Sequence, residues 1–402
     1  MKILQLCNKP PLPTVDGGCL AMNALSQGFI NHGHEVKILS VHTLKHPFVE
    51  EKLDPAYLKK TRWESLFIDT TVNLVDAFSN LLTQDSYNIS RFFSPDFDMH
   101  LKHILQREKF DIIQFESLFM TPYLSTAKRY SKAKCVLRSH NLEYIIWKRI
   151  ADGTRNKAKK FYLKHLAKKL ELYELDIIKR VDAIVTISND DYAKYSELQA
   201  EKSKLINIPF GIDVDSYELP KHSGELALFH LGSLEWKPNL EGVTWFLHKI
   251  WPTIQQQFPD LKFYLAGRHI PVEFSDDAYR NVEVVGEVPD AKEFISSKAI
   301  MLVPILSAGG MRVKIIEGLA LGKTILSTTV GAEGIDFEKD KHIYLANSKK
   351  EFLKVISKWM ENPKALEEQM NVSRNYVKQH FDNAELTSKL LSFYNSIVQV
   401  SA

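Results

Sequence analysis

Residues 303–335, VPILSAGGMRVKIIEGLALGKTILSTTVGAEGI, hold the densest group of side chains able to handle an anion. An apolar strand ends at Pro304, the Gly309–Gly310 pair permits a tight turn, and a helix is predicted from about Met311. The start of a helix presents unpaired N–H groups and the positive end of the macrodipole, which together favour a negative ligand. Arg312 and Lys314 fall in that first turn. Cations oppose the dipole there, so their presence makes better sense if they face a bound phosphate. Glu317, one to two turns on, is placed to accept hydrogen bonds from the two hydroxyls of a ribose. The plain alternative is an amphipathic helix with Ile315, Ile316 and Leu319 on a sheet and both cations in water.

A second segment, FHLGSLEWKPNLEGVTWFL at residues 229–247, adds to the first. A buried strand opens into Gly232, where a ligand or another backbone can come close. Lys237 lies at the tip of the following loop and can reach a diphosphate at the carboxyl ends of the strands, where open α/β sheets bind ligands. One strand-glycine-helix signal is weak. Two, both delivering cations to one sheet edge, are better explained by an anionic ligand.

The N-terminal half offers three further groups. PPLPTVDGGCLAMNAL, residues 10–25, places Gly17 and Gly18 between a first strand and a first helix. LRSHNLEY, residues 137–144, ends a strand with Arg138, Ser139, His140, Asn141 and Glu143 in quick succession, and Glu116 in DIIQFES ends another. For Glu116 and Glu143 a surface or helix-capping role is an equal reading. The acidic triplets Asp96–Asp98 and Asp213–Asp215 are of the kind that holds a divalent metal elsewhere; here the first is expected to open a helix and the second to lie in a linker. No metal and no other cofactor is therefore expected. Neither glycine turn has the G-x-G-x-x-G spacing of a dinucleotide enzyme, which demotes a dehydrogenase.

These residues resemble the retaining glycosyltransferases of family 4, and the resemblance extends over nearly the whole chain. It implies a GT-B fold, an α/β architecture of two Rossmann-like domains facing across a cleft. It also implies transfer of a sugar from a UDP- or GDP-sugar to a hydroxyl of a glycan, glycolipid or lipid-linked saccharide. The implied donor-binding residues are Gly17, Gly18, Gly232, Lys237, Gly267, Gly309, Gly310, Met311, Arg312, Lys314 and Glu317. His140 matches a family histidine beside the transferred sugar, and Glu116, Arg312 and Lys314 join it as the implied catalytic set. Two departures stand out. Of two family glutamates seven residues apart, Glu317 fits the second while Gly309 occupies the first, as in a branch whose turn reads Gly-Gly-x-Arg-x-Lys. Ser233 stands where many members carry an arginine, a charge that Arg312 could supply. A sugar-nucleotide epimerase or hydrolase, or a non-catalytic nucleotide-sugar-binding module, are the alternatives.

To position such residues the chain needs two doubly wound sheets, and its pattern supplies them. Short β-rich runs alternate with helical periodicity. Strands are predicted at Lys2–Cys7, Glu35–Ser40, Asp111–Phe115, Lys134–His140, Ala183–Ile187 and Lys204–Ile208. A second series follows at Ala227–Leu231, Lys262–Ala266, Val282–Val285, Ile300–Pro304, Thr324–Ser327 and His342–Leu345. The first helix is predicted over Leu20–Asn31, with Gly33 as its glycine cap. His42–His100 shows no clean period and is assigned to inserted helices and loops. Residues 209–224 read as a linker between an N-terminal acceptor domain, 1–208, and a C-terminal donor domain, 225–382. Three terminal helices are expected, the last of them, from 383 to the end, packing back on the N-terminal domain.

Composition sets the outer limits. The chain has 402 residues, 45% of them hydrophobic and 25% charged, which suits two packed domains. A net charge of +3 excludes a dedicated nucleic-acid binder as the leading idea. Three cysteines, Cys7, Cys19 and Cys135, without metal-ligand spacing point to a reducing compartment. No apolar run approaches the ~18 residues of a membrane span, and a cytoplasmic protein is expected. One local excess stands out: residues 148–170 carry nine Lys or Arg against one Asp. Such a basic amphipathic stretch can lie on the inner face of a membrane, or be the solvated face of a packed helix.

Overall fold

The computed structural model describes residues 1–70, 87–198, 201–274, 279–307 and 309–399. The chain divides into two α/β units, Met1–Gly211 with the segment from Asn383 onward, and Ile212–Asp382. Each is Rossmann-like and built on one parallel sheet.

The N-terminal unit has seven strands: β1 Lys2–Cys7, β2 Glu35–His42, β3 Glu64–Phe67, β4 Ile112–Glu116, β5 Lys134–Ser139, β6 Ala183–Thr186 and β7 Leu205–Asn207. Their spatial order is β3-β2-β1-β4-β5-β6-β7. The central strand β4 and the penultimate strand β6 are buried along their whole length, as expected when helices cover both faces of a parallel sheet. The order reverses between β1 and β4. Loops leaving the carboxyl ends of those two strands run in opposite directions and leave a crevice, the usual ligand position in such sheets.

Two local features differ from the sequence reading. The first helix begins at Gly17, not Leu20, because Asp16 caps it, its carboxylate accepting the Cys19 N–H at 2.9 Å. Within 42–100, part of which (71–86) lies outside the described residues, Glu64–Phe67 forms the edge strand β3. Its sequence ESLF has no apolar run to betray it. Tertiary contacts fix it instead: Lys37 of β2 pairs with Glu64, and the Ser40 hydroxyl donates to Ser65 at 2.8 Å.

The last helix, Asn383–Gln399, belongs to the N-terminal unit. Leu386, Leu390, Leu391 and Tyr394 join a core with Ile3, Met22, Phe29 and Ile38. Asn383 donates to the Ala24 carbonyl at 2.7 Å, and the buried Tyr394 hydroxyl donates to Gln114 on β4.

The C-terminal unit has six strands: β8 Glu225–Leu231, β9 Phe263–Ala266, β10 Val282–Gly286, β11 Lys298–Val303, β12 Thr324–Ser327 and β13 Ile343–Leu345. Their order is β10-β9-β8-β11-β12-β13, so its reversal falls between β8 and β11. The two segments singled out by sequence, after Leu231 and after Val303, leave the two strands that flank this point.

Gly267, directly after β9, holds φ at +138° and lies against Gly232. A Cβ there would overlap the Gly232 carbonyl, so the glycine serves backbone packing beneath the loop. Gly267→Ala is expected to destabilise the protein by about 3 kcal/mol, read as a lower urea midpoint; an unchanged midpoint would show that the two loops part freely.

Candidate functional site

Three elements converge at the reversal point of the C-terminal sheet: the loop after β8, the helix Lys237–Trp245, and the turn leading into the helix Val313–Ala320. Lys314 ties them together. Its ammonium donates to the Leu231 carbonyl at 3.3 Å and to Asn239 Oδ1 at 3.0 Å. Asn239 is itself fixed, its amide donating to the Ser233 carbonyl at 2.9 Å and closing the loop onto the helix. A side chain on Gly232 would meet Asn239 Nδ2 at 2.8 Å and Lys314 Nζ at 3.2 Å. Burial, reinforced by the neighbouring Arg312 charge, pushes the Lys314 pKa down to about 7. One residue before the strand end, His230 donates from Nδ1 to Leu302 at 3.0 Å and is held neutral by burial and the Lys314 charge.

Arg312 does not occupy the first turn of its helix. The helix begins at Val313, with Arg312 as its N-cap residue, and not near Met311. Gly310 holds φ at +83°, which turns the chain so that the Arg312 guanidinium folds back. It donates to the Gly309 carbonyl at 2.7 Å and to that of Gly310. The group is buried, 6% exposed, and lies 5.8 Å from the ring centre of Trp236 on the first loop. Its Nε and second terminal nitrogen find no partner among the described residues. Burial lowers its pKa to about 10, against a weaker pull from Glu333. Buried donors of a charged group without acceptors are costly and rare, and an anion would satisfy them.

Lys237 is the first residue of its helix and stands in solvent beside Trp236, with no hydrogen bond or ion pair among the described residues. The sequence reading placed it at a loop tip. Met311 is buried within the turn. Glu317 lies one turn further along and accepts the Tyr217 hydroxyl at 2.9 Å. Burial raises its pKa, opposed by that hydrogen bond and by Lys292, whose ammonium stands 4.1 Å over the Tyr217 ring.

The reversal point of the N-terminal sheet carries the opposite charge. Glu116, at the end of β4, is fully buried. That excludes the surface or capping role left open for it. Gln5 donates to it at 3.3 Å, Gln114 also donates, Arg138 approaches at 3.5 Å, and His140 Nε2 at 2.9 Å. Burial alone would raise the Glu116 pKa; Arg138 and His140 outweigh it, and the carboxylate stays ionised. His140 is shifted down by burial against the pull of Glu116, so its imidazole is neutral near pH 7. With Nε2–H given to Glu116, Nδ1 is left as an acceptor. The Phe210 ring packs edge-on against His140 at 5.4 Å and lies 4.9 Å from Arg138. Glu143 is the first residue of its helix, with its pKa raised to about 7 by burial.

Gly17 and Gly18 open the first helix, and the Lys9 ammonium lies over Gly18 while bridging to Asp16 at 2.6 Å. Burial acts upward on Asp16, yet Lys9 brings its pKa to about 2. Asp16, Cys19 and His46 offer ligand atoms within 4.8 Å of one another, but Lys9 already neutralises the carboxylate. The two acidic triplets lie in the first turn of the helix Pro95–Arg107 and around the short turn Val214–Ser216.

Residues 20–216 match the sequence family described as Glycosyltransferase Family 4, and residues 225–362 match that described as Glycosyl transferases group 1. The chain is a glycosyltransferase family 4-like protein. An uncharacterized 44.6 kDa protein in cps region of Klebsiella pneumoniae is 22% identical to this glycosyltransferase, over 97% of the chain and 98% of the relative. Among solved structures, sucrose-phosphate synthase from Thermosynechococcus elongatus superposes with a TM-score of 0.70 at 13% identity, over 100% of both chains. Anabaena Alr3699/HepE, solved in complex with UDP and glucose, gives 0.64 at 10% identity, over 98% of this chain and 100% of that one. These likenesses identify the fold as GT-B.

Asn239, Trp236, Tyr217 and Lys9 of this glycosyltransferase were not singled out by sequence. Asn239 and Trp236 lay inside the quoted segment, but nothing local says that an amide will reach back to its own loop. Tyr217 meets Glu317 across a hundred residues of chain, a contact that only the fold creates.

The depressed Lys314 pKa has a measurable consequence. Between about pH 7 and 10 the unfolded chain holds a proton on this lysine that the folded chain lacks. Stability therefore rises with pH across that window, by up to about 1.4 kcal/mol per unit. Urea unfolding at several pH values should show a shallower rise in Lys314→Met than in the parent; equal slopes would mean that the ammonium is solvated.

Proposed function

We propose that this glycosyltransferase moves a sugar from a nucleoside-diphosphate sugar to a hydroxyl acceptor, with retention of anomeric configuration. The observation that carries the reading is the pair of inward cations at the reversal point of the C-terminal sheet. Lys314 is held by the strand end of β8, and Arg312 has buried donor atoms that lack acceptors among the described residues. A diphosphate would satisfy both, and Lys237 in solvent beside Trp236 adds a third positive charge. The helix Val313–Ala320 adds its positive end.

The departing nucleoside diphosphate accumulates negative charge as the glycosidic bond breaks. Cations and N–H groups already in place stabilise that charge without reorganising, which is the main catalytic contribution assigned here. With those cations in place the transfer is assigned no metal requirement, and chelation by EDTA tests this directly. Glu317, its other oxygen free of Tyr217, takes the ribose hydroxyls. UDP is the first nucleotide to test, since Alr3699/HepE was solved with UDP and with UDP-glucose. In the N-terminal unit His140 Nδ1 is left to accept a substrate hydroxyl, and Glu116 is a positioning residue that fixes its tautomer. The acceptor is a glycan, glycolipid or lipid-linked saccharide.

A thermal-shift screen against UDP, GDP, ADP and their sugars identifies the donor, and NMR of the product reads its anomeric configuration. Arg312→Ala and Lys314→Ala should each lower turnover by about 10²–10³ while circular dichroism stays native. Undiminished transfer in both variants would remove the diphosphate site. Free sugar released at the same rate with or without acceptor would make the protein a hydrolase.

A further inference from the structure

The strand β5 that ends beside His140 runs on into a helical hairpin, Glu143–Gly153 and Lys157–Arg180. Its inner side is accounted for. Ala151, Leu163 and Leu166 pack with Trp147 and Tyr162, and the buried Glu174 carboxylate caps the first helix by accepting the Tyr144 N–H at 3.2 Å. Tyr195 also donates to Glu174 at 3.3 Å, which pins the hairpin to the unit.

Among the described residues, packing does not account for its outer side. Lys157, Phe161, Lys164, Lys168 and Leu172 recur every three or four residues on the second helix and share one exposed stripe. Phe161 is 77% exposed and Leu172 58%, and Ile150 near the end of the first helix is 48% exposed after Lys148 and Arg149. A single exposed leucine is ordinary. Two large apolar side chains set beside a row of lysines on one exposed face are a different pattern, apolar and cationic groups side by side. Among the described residues the acidic side chains along the stripe are Asp152, 3.4 Å from Lys164, Glu171, 2.8 Å from Lys168, and Asp176, one turn after Leu172 and paired with Arg180 at 3.0 Å.

We propose that this outer face, with Phe161 and Leu172 inserted and Lys157, Lys164 and Lys168 among the headgroups, docks the protein on an anionic lipid bilayer. Lysine stems lie along the apolar boundary while their ammonium groups stay with phosphate, and Phe and Leu gain by leaving water for the acyl region. A nucleic acid would use the charges but leave Leu172 and Ile150 in water. The docking rests on this surface alone. Its functional meaning rests on the sugar-transfer reading, for which it places the acceptor in a membrane and so favours a glycolipid or lipid-linked saccharide.

Flotation of the full-length protein with phosphatidylcholine vesicles, with and without about 30% phosphatidylglycerol, tests the proposal. Binding is expected only to the anionic vesicles, and weaker in high salt. Each lysine near such a surface strengthens binding about fivefold. Combined Lys157→Glu, Lys164→Glu and Lys168→Glu should therefore weaken it at least a hundredfold, and Phe161→Ala with Leu172→Ala about tenfold or more. The same reversal at Lys349, Lys350 and Lys354 in the other unit serves as control and should change nothing. Equal flotation of hairpin and control variants, no flotation at all, or tight binding to duplex DNA in place of vesicles overturns the proposal. A UDP thermal shift run in parallel keeps the two readings apart. Docking without any nucleotide shift would sink the sugar-transfer reading alone, and a nucleotide shift without docking would sink only the membrane surface.

Discussion

An ammonium turned inward at the end of a strand is the constraint around which the C-terminal unit is organised. Water solvates a lysine better than two neutral oxygens do, so holding Lys314 against Leu231 and Asn239 costs free energy. Much of the local architecture follows. Asn239 must be anchored to Ser233 to keep its oxygen turned toward the ammonium. Gly232 must lack a side chain because the amide and the ammonium occupy that space, and Gly267 must lack one because Gly232 lies on it. Arg312, spending one nitrogen on its own turn, adds a second desolvated charge nearby.

The N-terminal unit solves the reverse problem. Its buried charge is a carboxylate, and it is over-supplied with donors: amides from β1 and β4 and cationic or imidazole groups from the end of β5. The same network reaches the last helix through Tyr394 and Gln114, so the C-terminal end of the chain supports the residues around His140. Glu116 is settled by its surroundings and holds its place, whereas Lys314 is left short of partners. That contrast separates a charge met by donors on several sides from one met only by two neutral oxygens among the described residues.

The hairpin after β5 shows a second use of a buried carboxylate. Glu174 sits where the first helix begins, and burial raises its pKa to about 8. It supplies the acceptor that Leu142, the residue at the cap position, cannot. The hairpin is thereby fixed at its base, while its far end presents lysines and an exposed phenyl ring.

Much of this was legible in the chain alone. The alternation of short apolar runs with helical spacing determined a pair of parallel sheets, because strands buried on both faces need no polar alternation. The residues after Leu231 and Val303 were identifiable as cation-bearing turns from glycine and charge alone. The edge strand β3 was not, since a polar, half-exposed strand is held by partners on β2 and by nothing in its own sequence. Nor could spacing tell that Arg312 folds back on its own turn, that Lys237 stays in water, or that Asn239, Trp236 and Tyr217 would join them. Sequence fixes which groups are available; which of them lose their water, and which acquire partners a hundred residues away, depends on the strand order that brings β8 beside β11.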